Sequence, residues 1–501
     1  WDVTLGVINS NIQNHPYGEA IRLGTSVGWF RGNDILGPYK HEAIDITRGS
    51  VAFIGNKPDD DGQSRGNTIT GPFEKGVEIR ENSHARFMAN TITGYKNTGI
   101  RVSRNSSAEI GTDWDRDTYT IGQRMDYGNT LNGTALTGQT VDDWQWGIQV
   151  SESSTVQLHR NMIENHQRGG VHAQELSVIE LGGGNTVQNN THTETDGDIR
   201  GTGFEIRSGS TLEMWSDAQE REPNTISGNG RTALRAEGGE LHLRGGGIWE
   251  DDILTSEINR LVITGHQTGI RAGRGSKVTL ERVDVQNNDR RGIRISENSV
   301  LNVWSGGATI TGNGLNNDGW DGFGPGLDID RNSTASVDRL VVSGNGRGIY
   351  VGRGSSFSGG WKDEDDTTLP TYMIEINDNK KWGLEVQKNS NVDLNNIEIS
   401  GNGKEVYNND DGSTWYENAL KIQDSSTGNI RNVKLYDNRG NAIDIRNNSK
   451  FHLKDAEILS NGIGSLGDSY DAIRVENHSH LDLNSVTVNS NGRIGLNIYD
   501  Y

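Results

Sequence analysis

One short motif governs what this chain can fold into: Gly or Ala, then apolar, any, apolar, then a turn containing Ser. Its anchors are Ala20, Ala43, Gly76, Gly99, Gly147, Gly170, Gly203, Ala233, Gly269, Gly292, Gly326, Gly348, Gly383, Ala419, Ala442, Ala472 and Gly495. Seven of the sixteen gaps are 22 or 23 residues, the others run from 30 to 48, and none is shorter than 22. Such a unit accepts additions but not losses, the mark of a stacked repeat. Inside it the apolar residues alternate with period two, as strands do. After Gly383 they read Leu384 and Val386, then Val392 and Leu394, then Ile397 and Ile399. Three short strands per repeat predict an all-β fold, a parallel β-helix of about 16–17 rungs running through residues 1–501 as one continuous solenoid. Rungs stacked roughly 4.8 Å apart would make a rod roughly 75–80 Å long.

Composition agrees. Hydrophobic residues are only 31% of the chain and Gly numbers 67 of 501, which suits a thin core column with most residues facing out. The net charge of −20 argues against nucleic acid, whose phosphates need a basic face. Cysteine is absent, which excludes disulfides and thiol-bound metal. No run of 18 apolar residues is present, so no transmembrane helix is expected.

The turns repeat as well. Seven residues after the anchor stands Ser, from Ser50, Ser83 and Ser106 through to Ser426, Ser449 and Ser479; only the Ala20 and Ala233 repeats miss it. Nineteen residues after it, Asn288, Asn345, Asn402, Asn461 and Asn491 predict a ladder of stacked amides. With these columns the chain resembles the right-handed parallel β-helix proteins of the pectin-lyase-like type. That resemblance supplies the handedness. It implies no single activity, since such folds serve polysaccharide lyases, polygalacturonases, alginate epimerases, phage tailspikes and adhesin shafts. The polygalacturonase-type segments are not matched; the nearest are Asn97-Thr98-Gly99 and Gly265-His266-Gln267. No proline is followed by His, so the Asp-Pro-His of alginate epimerases is missing.

Residues beyond the minimal rung fall after strand two (56–66, 110–128, 215–223, 246–257, 359–371) or after strand three (133–146, 190–200, 315–325, 403–418, 461–471). Two rims of loops are expected along two edges. Trp144, Trp146, Trp320, Trp361 and Trp415 lie in or beside them, often among acids. They either pin the loops or offer flat apolar faces to sugar rings. Asp113, Asp115 and Asp117 alternate as at the start of an EF-hand loop, making calcium the one cofactor to consider. The required Gly and closing Glu do not follow.

The middle residue of strand one should form an outward column of mixed charge, which reads first as a salt-bridge ladder. As a catalytic site, Asp328 and Asp330 stand out. Two apart on one strand, their carboxyls would be roughly 6.5–7 Å apart, near the separation that inverting glycosidases use. Arg294 and Tyr350 should flank them one rung to either side, and in a lyase would serve as the base.

The first residues read as a partial rung (Val3-Thr4-Leu5) and the last stop six past Gly495, with no capping helix in sight. The expectation is a segment of a longer protein, or rods that join end to end. The leading functional reading is an extracellular or cell-surface shaft, filament or adhesin. It would self-associate end to end or bind other surface proteins, with loops contacting neighbours, glycans or calcium. The alternative is a glycoside hydrolase or polysaccharide lyase acting on an extracellular polysaccharide.

Overall fold

The computed structural model describes residues 3–55, 66–111, 128–135, 144–193, 199–215, 224–245, 248–250, 253–256, 260–304, 306–315, 323–361, 372–408, 414–463 and 470–500. The chain divides into two compact units, 1–266 and 267–501. Among the described residues both are built from strands, with no α-helix.

In the first unit, Gly169–Ala173, Val178–Leu181 and Thr186–Gln188 make one rung. Each strand pairs in parallel with its equivalent in the rungs before and after. The inward side chains, among them Ile44, Ile54, Phe87 and Phe204, are fully buried. Each such burial stabilises the rung by roughly 1.5–3 kcal/mol.

The bend after strand one has one conformation in the rungs that carry the serine; in those from Ala20 and Ala233 it is one residue shorter. Glu81 and Asn82, or Glu175 and Leu176, take left-handed φ near +60°, and Ser follows. Two non-glycine residues in that region cost about 1–2 kcal/mol each. The serines offset this. Backbone N–H groups donate from Ser50 to Ser83 Oγ, and on through Ser106, Ser154 and Ser177 to Ser210, at 3.0–3.3 Å. The Ser50 and Ser177 hydroxyls donate back to the Thr47 and Gln174 carbonyls. The expected serine column is therefore present, and its hydroxyls serve backbone rather than one another.

Before strand three runs an asparagine ladder that the anchor offset did not reveal. Each Nδ2 donates to the next Oδ1 from Asn33 through Asn67, Asn90, Asn129, Asn161 and Asn185 to Asn224, at 2.9–3.1 Å. After strand three a second column begins with aromatic rings, Tyr39 stacked on Phe73. Further along, the Tyr95 hydroxyl meets His166, and His166 passes the column to amides through Asn190 and Asn229.

The second unit repeats the plan. Arg291–Ile295, Val300–Val303 and Ala308–Thr311 form a rung in parallel register with its neighbours. Serines link from Ser276 through Ser299 and Ser333 to Ser355, and from Ser390 through Ser426 and Ser449 to Ser479. The expected asparagine ladder is unbroken, because Asn313, Asn379 and Asn438 fill the places between Asn288, Asn345, Asn402, Asn461 and Asn491, at 2.8–3.2 Å.

Among the described residues, three inserted loops fold back as antiparallel hairpins: His192–Thr193 with Ile199–Arg200, Ile248–Glu250 with Ile253–Ser256, and Val406–Asn408 with Thr414–Tyr416.

Candidate functional site

The middle column of strand one has the expected register. Arg22, Asp45, Glu78, Arg101, Gln149, His172, Glu205 and Arg235 pair in succession in the first unit. The salt-bridge ladder expected there is present, and its acids lie beneath their partners. Asp45, Glu205 and Asp444 are at most 1% exposed. The reason is an arginine two residues on, or one rung away, that folds over each carboxylate. Arg22 and Arg80 cover Asp45, Arg207 and Arg235 cover Glu205, and Arg446 covers Asp444.

The same holds for Asp328 and Asp330. The structure brings them together with Arg294 and Tyr350 in the expected order. However, both acids are buried, at 6% and 5% exposure. Asp328 lies 3.1 Å from Arg291 and 3.7 Å from Arg294, and Asp330 lies 3.8 Å from Arg331 and 3.6 Å from Arg353. Burial pushes the Asp328 carboxyl above the usual range, against the pull of Arg291 and Arg294. Burial also pushes Tyr350 up to about 12, and its hydroxyl accepts a hydrogen bond from Gln387. The open carboxylate pair expected from spacing is instead a packed ion-pair cluster.

An open cleft lies elsewhere, on the strand-one face of the first unit, with a volume of about 360 Å³. Its wall begins where the 133–146 insertion rejoins the rung. Gln145 is fully buried, its side chain donating to the Tyr95 carbonyl, and it fixes the two tryptophans beside it. Trp144 is 61% exposed, with the Arg168 guanidinium 4.5 Å from its ring centroid. Trp146 is buried and stacked on His172 at 4.7 Å, which of the two roles open to it, loop pin or sugar platform, matches the pin. It fits there because Gly169 sits beneath it, where a Cβ would meet the Trp146 ring and lie 2.6 Å from the Thr202 carbonyl. Gly169→Ala should therefore displace Trp146 and destabilise the unit by about 1–3 kcal/mol, read as a lower melting temperature and altered tryptophan fluorescence.

His172 lines the cleft, yet neither of its ring nitrogens has a hydrogen-bond partner. Burial pushes its pKa down to about 4, with Glu205 opposing and Arg207 and Arg168 assisting. The ring is neutral at pH 7, with one N–H to give and one lone pair to fill. Asn97, Arg101, Gln149, Gln174 and Arg207 complete the polar lining. The arrangement is an aromatic face surrounded by donors and acceptors, the composition of a site for a polar, ring-shaped ligand.

Of the other residues singled out from sequence, Trp361 is 48% exposed with Arg431 5.8 Å from its ring. Trp320, the Trp415 side chain, and Asp113, Asp115 and Asp117 lie outside the described residues. Among the described residues, no group of three or more His, Asp or Glu is placed to hold a metal ion, and no helix is long and apolar enough to cross a membrane.

The model of the family described as "Right handed beta helix region" matches residues 57–214 and 146–360, together more than half of the chain. The chain belongs to the right-handed β-helix family. No curated protein matches this β-helix. Among solved structures, it is similar to a chain from the cryo-EM structure of the Vag8–C1 inhibitor complex, with 12% identity, a TM-score of 0.44 and 100% of both chains covered. A variant of the PL6-family alginate lyase AlyGC is similar at 9% identity with a TM-score of 0.20, over 99% of this β-helix and 97% of that chain. Likeness at this level says nothing of what the β-helix binds or does.

Proposed function

We propose that this chain is an extracellular or cell-surface β-helical protein, a shaft or adhesin in one continuous solenoid, that binds a glycan in the Trp144 cleft. The observation that carries the reading is the exposed Trp144 ring beside a polar groove of about 360 Å³. A flat indole takes the apolar face of a pyranose, while arginine, glutamine and asparagine side chains match its hydroxyls. The serine and asparagine ladders support the scaffold part, since they fix the backbone on which the cleft rests. Calcium belongs to this reading through Asp113, Asp115 and Asp117, on their alternate spacing alone. Melting in millimolar calcium and in EDTA tests it, and identical curves would remove the ion from the account.

The test of the cleft is binding to a panel of extracellular polysaccharides, measured by affinity electrophoresis and calorimetry. Trp144→Ala should weaken the best ligand by about tenfold or more, the equivalent of about 1.4 kcal/mol of lost stacking. Unchanged affinity in that variant would sink the assignment of the cleft. A second reading, a polysaccharide-cleaving enzyme, is favoured by the unpartnered neutral His172 in the same cleft. Release of new chain ends by the wild-type protein, lost in His172→Gln, would select it.

A further inference from the structure

We propose that the cleft accepts a sugar residue carrying a negative charge, a carboxylate or a sulfate ester, with Arg168 as its counter-ion. The proposal rests on the reading of the cleft as a glycan site and adds the chemistry of the ligand. The chain as a whole has a net charge of −20, yet three arginines and a single glutamate line this cleft. That glutamate is already taken, since Glu205 accepts from Arg207 Nε at 2.8 Å and lies 3.3 Å from Arg235. Arg101 lies 3.7 Å from Glu78.

Arg168 differs from both. Among the described residues no carboxylate stands within ion-pair distance of it, and its guanidinium contacts the Trp144 ring instead. It is half-buried, which lowers its pKa; Glu205 opposes, and Arg207, Arg235 and Arg200 push it further down. Glu205, the acid that opposes them, is already engaged by Arg207 and Arg235, and an anionic ligand group adds the further counter-charge through charge-assisted hydrogen bonds.

His172 is the second, independent observation. It is 94% buried by its 6% exposure, it lines the cleft, and both of its nitrogens lack a partner. A buried imidazole is rarely left so, because unmade hydrogen bonds are costly. A sugar hydroxyl or ring substituent in the cleft satisfies it. The basic patch is small and surrounded by an acidic chain, so a single charged sugar residue fits it, whereas a nucleic-acid duplex would be repelled at longer range.

The experiment uses the whole chain and three matched sets of oligosaccharides, in calorimetry at low salt. One set carries carboxylates (oligogalacturonides), one carries sulfate esters (sulfated galactan fragments), and the third holds their carboxyl-reduced and desulfated counterparts. At least one anionic set should bind about tenfold or more tightly than its neutral counterpart, and which set does so names the anion. Arg168→Gln should bring the two within about twofold, Arg168→Lys should restore part of the preference, and Trp144→Ala should weaken both. Circular dichroism of each variant guards against misfolding. Equal binding of charged and neutral sugars, or a preference that survives Arg168→Gln in a folded protein, overturns the proposal and leaves the glycan reading standing. Failure to bind any glycan overturns both.

Discussion

Asn161→Ala should destabilise the first unit by about 3–6 kcal/mol, among the largest losses available to one substitution. The Asn161 amide donates to the Ile110 carbonyl at 2.7 Å and to Asn185 Oδ1 at 3.1 Å. Its oxygen accepts from the backbone and side-chain nitrogens of Asn129, at 3.1 and 3.0 Å. All of these partners are buried. Alanine leaves two or three of them unsatisfied, at about 1–3 kcal/mol each, with no room opened for water to reach them all. Urea unfolding followed by hydrogen exchange should show the loss concentrated in the rungs on either side. Asn447→Gly is the control, glycine because Asn447 has a left-handed φ of +55° at which alanine would add strain. Asn447 makes the same kind of rung-to-rung bond, to Asp424, but in an exposed position, and should cost no more than about 0.5 kcal/mol. Equal effects at the two sites would mean that burial does not set the strength of these ladders.

Acid should weaken the same unit through His166. The ring is fully buried, accepts from the Tyr95 hydroxyl at Nε2 and donates from Nδ1 to Asn190 Oδ1 at 2.7 Å, which fixes it as the neutral tautomer. Burial holds its pKa down at about 4 in the folded protein. In the unfolded chain it is about 6.5. Above about pH 6.5 the ring is neutral in both states and contributes no slope. As pH falls below that, the unfolded chain takes up a proton that the folded one refuses, so stability drops until pH reaches about 4. The full loss is about 3 kcal/mol. His166→Asn puts at this place the amide used one rung later by Asn190. That variant should be less stable at pH 7.5, yet show a flatter decline between pH 6.5 and 4. An unchanged slope would assign the acid sensitivity to other groups.

The parts of the fold that sequence revealed are those whose distance from the anchor never changes. The serine comes seven residues on in every complete rung but those from Ala20 and Ala233, because no loop enters the first bend. The ladder through Asn288 and Asn345 was visible in rungs without insertions. The ladder through Asn67, Asn90 and Asn129 was hidden because its offset varies: Asn90 stands 14 residues after its anchor, while insertions push Asn67 and Asn129 to 24 and 30. Tyr39, Tyr95 and His166 all stand nineteen residues after an anchor, so their column was open to the same arithmetic but chemically mixed.

The cleft was legible in pieces. His172 was in the column and the two tryptophans were among the loop aromatics, but nothing in the spacing joined them. What joins them is Gly169, whose missing side chain lets Trp146 lie against His172, and Arg168, which precedes the strand and belongs to no column. The buried acids could have been foreseen from pairs two residues apart with opposite charge, such as Glu205 with Arg207 and Asp444 with Arg446. An outward residue is not a wet one when a long cation two places on lies across it.

The uniform bend before each serine also makes the rungs interchangeable. Wherever the two left-handed residues and the hydrogen-bonded hydroxyl occur, the bend keeps one length, so those rungs meet one another there in the same way. A cut made at Ser83 and another at Ser106 would lift out one complete turn of the coil and leave matching ends. Recombination at such serines could lengthen, shorten or shuffle the protein without disturbing a ladder. The other two corners, where hairpins already project, are the places to graft foreign peptides for display.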